Sequence, residues 1–473
     1  MKEIKYKDIE EILQKAKRAE GQRIIDLVGD YGTNNDKGKV GNLIQKGYFG
    51  IPVNNNPEAD FKELGFPMEL KVTPVKRLQK PKKELNSDLV AKERLVLSMI
   101  DYNNIDLDES FFTSHVFEKT ESTLLMHYLH DYNNEIKTQN KILYSHILDL
   151  NEDLTDMEKN IIEEDFQIIR NKIITGNAHE LSESNTKILA ATTKGQGNQK
   201  PRTYKFSDIN AKGRAFSFKP SFMTLLFNRK YNNAKIITPK SGKSDIFSFF
   251  EEIVDKYKGI NIYEDYIQRR LKQGIHEPKD NKSMNAWWMK KVVNEHDENF
   301  LPWMETLGYK MICITIDEKG KIQESMPLSR VIDPQELGEN EFLDSYEFEQ
   351  LVLNKYIFVT FKKIVGNNHE IYLDGIFEFN ISENDKYIKN LEKVWNDTKI
   401  KFQGEPFIQF KQTKNGLSNN LIKMKDDLDF HIRPKGRNKE DKYLLNDNKT
   451  LITKQTFWVN RDVLQEFKDK KAN

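Results

Sequence analysis

The sequence predicts an α/β protein built as two tandem units, each a mixed sheet flanked by helices. Three observations lead there. From Met68 to Thr73 apolar Met68, Leu70 and Val72 alternate with polar Glu69, Lys71 and Thr73, which describes one strand with an apolar and a charged face. A chain of 473 residues is too long for a single core. The order of elements also repeats: Gly65-Phe-Pro-Met-Glu-Leu-Lys71 matches Gly308-Tyr-Lys-Met-Ile-Cys-Ile314 without a gap. On that alignment Ile312 and Ile314 replace Glu69 and Lys71, so the second unit reads as a copy without ligands.

The first helix, over residues 8–19, has Ile9, Ile12, Leu13 and Ala16 on one face, and Ile24, Ile25 and Leu27 mark a second helix. Asn35 or Asp36 caps a third helix through Gln45, buried by Val40, Leu43 and Ile44. After the strand at 68–73 comes a Lys-rich turn, then apolar stretches 94–100 and 122–128, expected as its sheet partners. A long helix spans Asp156 to Ile174, and Lys187 to Gly197 reads as a strand entering a Gly-containing loop. Residues 232–243, rich in Asn, Lys, Ser, Gly and Pro, form the expected linker between a unit at 1–231 and a unit at 244–473. Beyond it Asp245 to Lys258 is again a helix, and Asp280 caps another carrying Met284, Trp287 and Trp288. Phe430 to Gly436 and Thr456 to Asn460 echo the strands around Thr193 and Phe216.

Composition narrows the function. The 74 Lys and Arg balance 73 Asp and Glu, so any nucleic-acid groove must come from local clustering, around Lys76 to Lys83 and Lys200 to Lys219. Cys313 is the only cysteine, which excludes an internal disulfide and a thiolate zinc cluster within one chain. No run approaches a membrane span and no apolar signal segment opens the chain, so the expected location is the cytoplasm.

The chemistry gathers at the first strand. Glu69 and Lys71 stand on one face, roughly 7 Å apart along it. Asp60 precedes them across Gly65-Phe66-Pro67, close enough for a bend to bring its carboxylate beside Glu69. Two carboxylates and an ammonium on one side of a strand hold Mg²⁺ and orient a water, which is hydrolytic chemistry on phosphate. With 31% of the chain charged, that spacing also arises in solvated edge strands. The nine His are scattered, and His127 and His130 read as a surface strand or turn rather than zinc ligands.

Seven motifs, taken together, resemble the MutH-like DNA endonucleases, a family of mismatch-repair nickases and GATC-cutting type II restriction enzymes of the Sau-3AI type. They are Asp36-Lys-Gly-Lys-Val-Gly41, Asn56-Pro-Glu-Ala-Asp-Phe61, Leu64-Gly65, Met68 to Val75, Lys92 to Leu97, Ala178 to Glu183 and Ala211 to Ser217. Chain length and the weaker second half side with the restriction enzymes. The resemblance implies tandem restriction-endonuclease-like domains, the second catalytically dead and binding DNA as an allosteric effector. It implies Mg²⁺ on Asp60 and Glu69, Lys71 activating water, Lys119 near the scissile phosphate, and Gln45 where the family has a glutamate. It further implies DNA contacts from Lys37, the Thr193-Lys194-Gly195 loop and the strand with Ser217 and Lys219. Arg433 and Lys435 would serve the second unit. The substrate would be double-stranded DNA, cut on both strands by chains that self-associate on it. A methylation-directed nickase and a non-enzymatic DNA-binding regulator are the rival readings.

Overall fold

The computed structural model describes residues 6–29, 39–53, 58–82, 85, 87–134, 136–193, 201–272, 284–364, 366, 369–404, 408–413, 416–426, 428–436, 438, 440–444 and 451–471. The chain divides into two compact units, Met1–Ile236 and Ile237–Asn473.

The first unit opens with α1 (Ile9–Arg18), α2 (Ile24–Val28) and α3 (Lys39–Leu43). Asp8 caps α1 by accepting from the Glu11 N–H at 2.8 Å, satisfying a donor that has no partner inside the helix. The caps expected at Asn35 and Asp36 lie outside the described residues. Next come β1 (Glu69–Lys82), β2 (Ser87–Ala91), β3 (Leu95–Met99), α4 (His115–Thr120), β4 (Ser122–Leu129) and β5 (Lys141–Asp149). Then come α5 (Asp156–Ile174), β6 (Leu189–Thr193), β7 (Arg202–Tyr204), β8 (Ser207–Ala211), β9 (Arg214–Phe218) and α6 (Pro220–Asn232). A capping box starts α5, with Thr155 and Glu158 each accepting from the other's backbone N–H.

The main sheet runs β2-β1-β4-β5, with β1 and β4 parallel and the other pairs antiparallel. A second, antiparallel sheet runs β3-β9-β6. The stretch at 94–100 is therefore a strand of the second sheet, and β1 takes β2 as its antiparallel neighbour instead. Parallel pairing explains the difference, because the chain needs a long crossover before β4 can lie beside β1. Met68, Leu70, Leu124 and Met126 close a core with Ile12, Ala16 and Ile44 of the helices. Period two in the strand then turns Glu69 and Lys71 to the opposite face.

The second unit carries α7 (Ile246–Tyr257), α8 (Ile262–Lys272), α9 (Met284–His296), α10 (Phe300–Thr306), β10 (Tyr309–Ile316) and β11 (Met326–Pro327). After them come α11 (Pro334–Glu339), α12 (Tyr346–Phe348), β12 (Lys355–Lys363), β13 (Ile371–Phe379) and α13 (Asp385–Gln403). The chain continues through β14 (Phe410–Thr413), β15 (Gly416–Asn419), β16 (Phe430–Pro434), β17 (Lys442–Leu444), β18 (Leu451–Thr453), β19 (Gln455–Val459) and α14 (Arg461–Lys471). Its pairing runs β10-β12-β13, parallel then antiparallel, with a separate antiparallel β11-β19-β16.

Strand register corrects the gap-free alignment of the two halves. Glu69 pairs with Thr123, the second residue of β4, and Lys310 pairs with Tyr356, the second residue of β12. Six buried residues come after the first in both β4 and β12, and both hairpins shift register after the sixth residue, His127 or Thr360. Lys310 therefore stands where Glu69 does and Ile312 where Lys71 does, two positions earlier than counting from Gly65 and Gly308 places them.

Candidate active site

A short loop returns Asp60 to the head of β1. Residues Lys62–Leu64 form one 3₁₀ turn, and Gly65 ends it at φ 91°, a left-handed conformation that suits a residue without Cβ. The Phe61 N–H donates to the Met68 carbonyl at 3.0 Å and the Phe66 N–H to the Phe61 carbonyl at 3.1 Å, closing the bend over the buried Phe61 ring. Lys62 ties this bend to α4, lying 3.0 Å from Glu58 and 3.7 Å from Glu118.

Asp60 and Glu69 meet at the end of that loop. The Asp60 N–H donates to Glu69 Oε2 at 3.2 Å, and the Leu70 N–H donates to Asp60 Oδ2 at 3.0 Å. Gln45 closes the other side, its amide donating to Asp60 Oδ1 at 2.9 Å and to the Pro52 carbonyl at 3.3 Å. Lys71 Nζ donates to Glu69 Oε1 at 2.7 Å, and Lys119 Nζ stands 3.9 Å from that same oxygen. Lys119 comes from α4, whose N-cap Ser114 accepts from the Phe117 N–H. Thus Gln45, Asp60, Glu69, Lys71 and Lys119, scattered over 75 positions of sequence, share one spot on the charged face of β1.

Electrostatics there are asymmetric. Glu69 is only 3% exposed, and burial pushes its carboxyl above the ordinary range. Lys71 pulls it back down, while nearby Asp60 pushes it up again. Two acids with a desolvated charge between them are the environment that a divalent cation relieves. The donors are hard oxygens from two carboxylates, which fits Mg²⁺ better than a softer ion. Among the described residues no group of three or more His, Cys, Asp or Glu could hold a metal, so the pair has no third acid. Gln45 occupies that third position without charge.

The expected DNA contacts fare differently. Lys37, Lys194 and Gly195 lie outside the described residues. Thr193 ends β6, half-buried and paired with Arg214. Ser217 is 0% exposed, its hydroxyl against Thr192, and Lys219 is 4% exposed with its ammonium donating to the Thr186 carbonyl. The expectation that this strand faces base edges is therefore corrected. It is the middle strand of its sheet, with Phe216 stacked 5.5 Å from Phe166 of α5. In the second unit Arg433 is exposed, its guanidinium 4.8 Å above the Trp458 ring, and half-buried Lys435 donates to the Leu328 carbonyl.

Sequence reasoning missed two buried features. His127 is not at a surface: it is 1% exposed and stacked 5.3 Å from His146, with burial holding both imidazoles well below their usual pKa. Asp165, on the inner face of α5, accepts the N–H groups of Lys187, Ile188 and Leu189 at 2.6 to 2.9 Å and so fixes the entry to β6. An acid interrupting the apolar stripe Ile161, Ile162, Phe166, Ile169 was the available signal.

In the second unit the matching place holds different chemistry. Ser345 caps α12 as Ser114 caps α4, and the residue five positions on is Gln350 instead of Lys119. Lys310 donates to the Gln350 side-chain oxygen. An ammonium and an amide stand there, not an acid and an ammonium.

Comparison with known proteins agrees with this geometry. Residues 49–165 match the family model described as DNA mismatch repair enzyme MutH, a span that contains Asp60, Glu69, Lys71 and Lys119. The chain is similar to the type II restriction enzyme Sau3AI of Staphylococcus aureus, 29% identical over 476 residues that cover 96% of this chain and 93% of that protein. No described helix is long and apolar enough to cross a membrane. Both matches take in this cluster of side chains, and together they support a site-specific deoxyribonuclease similar to the MutH-like type II restriction endonucleases.

Proposed function

We propose that the protein makes Mg²⁺-dependent double-strand cuts in DNA at GATC, leaving 5′-phosphate and 3′-hydroxyl ends. The observation that carries this reading is the convergence of Asp60, Glu69 and Lys71 at the head of β1. Asp60 and Glu69 would hold the ion. When bound, Mg²⁺ supplies Lewis-acid stabilisation of charge growing on the phosphate oxygens. Lys71, 2.7 Å from Glu69, directs the attacking water and lowers the cost of its losing a proton. Lys119, entering from α4, supplies positive charge beside the scissile phosphate. Water oxygen bonds to phosphorus as the bond from phosphorus to the 3′-oxygen breaks, and the departing oxygen takes a proton.

GATC as target comes from resemblance to enzymes that cut there, and sensitivity to adenine methylation within it comes the same way. Sequence reading would fall to Lys37, the loop after Thr193 and exposed residues of β7 and β8 such as Arg202 and Asn210. The second unit would be a tandem copy lacking catalytic groups, supported by the same pairing order and by Lys310 at the Glu69 position. It would bind a further copy of the target through Arg433 and its neighbours and favour self-association on DNA.

A supercoiled plasmid with and without GATC sites tests the reading, incubated in Mg²⁺ or in chelator. Linear product confined to Mg²⁺ and to the GATC plasmid is expected. Product that stops at the nicked circle refutes double-strand cutting, and equal cutting of the GATC-free plasmid refutes the target.

A further inference from the structure

Asp60 and Gln45 are positioned by a feature of the fold that is fastened from outside the site. The helix at Lys39–Leu43 continues not as α-helix but as a widened π turn over Ile44–Phe49. Such turns are less favourable than the α form and need support from their surroundings. Gln45 lies in this one, its carbonyl accepting from the Ile51 N–H at 3.0 Å and its amide shared between Pro52 and Asp60. Each extra residue in a turn rotates the downstream chain by about 100°. Relaxing the turn would therefore change the register between Gln45 and Pro52.

The fasteners come from α1 and the residues just before it. Tyr6 donates its hydroxyl to the Phe49 carbonyl at 2.8 Å, the last carbonyl of the turn. Lys15 Nζ donates to that hydroxyl at 3.0 Å and stands 5.2, 5.3 and 5.7 Å from the ring centres of Tyr6, Tyr48 and Phe49. Tyr48 donates to the Lys15 carbonyl at 2.7 Å. The buried Phe61, next to Asp60, packs edge-on against Phe49 at 5.6 Å and Tyr6 at 6.2 Å. One cluster therefore touches both the turn that carries Gln45 and the residue directly after Asp60. We infer that Tyr6 and Tyr48 are positioning residues for the divalent cation: they lock the π turn in the register that aims Gln45 at Asp60.

This inference rests on the metal reading of Asp60 and Glu69, and the test separates the two. Thermal unfolding of the full chain without DNA is monitored across a titration of Mg²⁺ and of Mn²⁺. In the unsubstituted chain the metal raises the melting temperature; absence of any rise overturns the inference together with the metal reading. Tyr6→Phe and Tyr48→Phe are each expected to move the titration midpoint to higher metal concentration by about fivefold, the equivalent of one hydrogen bond. Tyr144→Phe, which deletes a hydroxyl that donates to the Lys230 carbonyl at 3.0 Å far along β5, lowers stability without moving the midpoint. Unchanged midpoints in both Tyr6→Phe and Tyr48→Phe overturn the inference, as does an equal shift in Tyr144→Phe. If Glu69→Ala abolishes the metal effect while both tyrosine variants keep it at the unsubstituted midpoint, the clamp falls and the metal reading stands. If Glu69→Ala keeps it, both fall.

Discussion

Gln45 is where the site departs from a three-acid arrangement. Its amide donates to Asp60 and so spares that carboxylate a second like-charged neighbour besides Glu69 when no cation is bound. A third carboxylate would strengthen a divalent ion's hold and make the empty site less stable. Gln45→Glu is therefore expected to lower the Mg²⁺ concentration needed for cleavage and to lower the metal-free melting temperature. Cleavage titrations in Mg²⁺ check the first and thermal unfolding in chelator the second; an unchanged Mg²⁺ requirement would count against the role given to this position. A second residue-scale outcome concerns Glu347 in the second unit. Burial pushes its carboxyl from 4.5 up to about 7, with Arg330 pulling it back. A raised folded pKa means that its stabilising share is full below pH 4.5 and is lost as pH rises through 7. Glu347→Gln, isosteric with the protonated acid, should gain stability relative to the unsubstituted chain as pH rises across that window. A difference in melting temperature that stays flat from about pH 4.5 to about pH 8 would contradict this.

At the scale of elements, strands and helices were legible where periodicity was strong and partners were local. The helix at Asp156 to Ile174 and the strand at the head of β1 stand where the sequence put them. Pairing was less legible, because which strand lies beside β1 depends on a crossover that no local pattern encodes. The same limit explains Ser217 and Lys219: alternation marks a strand but does not say that it is the middle one of its sheet. Asp165 shows the opposite case, an acid on an apolar stripe whose purpose appears only with the backbone it serves. Asp165→Ala leaves three N–H groups, two of them buried, without their acceptor and should cost about 3 kcal/mol or more in denaturant unfolding. Thr155→Ala, which removes one side of the α5 capping box, should cost about 1 kcal/mol. Equal losses in the two variants would mean that Asp165 is not the staple of β6.

At the scale of the whole molecule, two units with one pairing order but one set of acids raise the question of what the second unit contributes. Counting without gaps from Gly65 and Gly308 sets Ile312 against Glu69, whereas strand pairing sets Lys310 there, two residues earlier. Site residues were readable as types, since acids and lysines at the head of a strand are visible in one dimension. Lys119 was different: it reaches Glu69 through the packing of α4, which resemblance suggested and spacing did not. If the second unit promotes assembly on DNA, removing residues 237–473 should lower double-strand cleavage while the first unit still binds duplex. Equal linear product from the truncated and full-length chains would exclude that role.

The proposed chemistry depends on one buried carboxylate between two lysines acting on DNA. The most direct measurement is cleavage and duplex binding by full-length Glu69→Ala in Mg²⁺. Cleavage should fall by more than about a hundredfold, with binding of the target duplex retained. Cutting at the unsubstituted rate would contradict the assignment of the site.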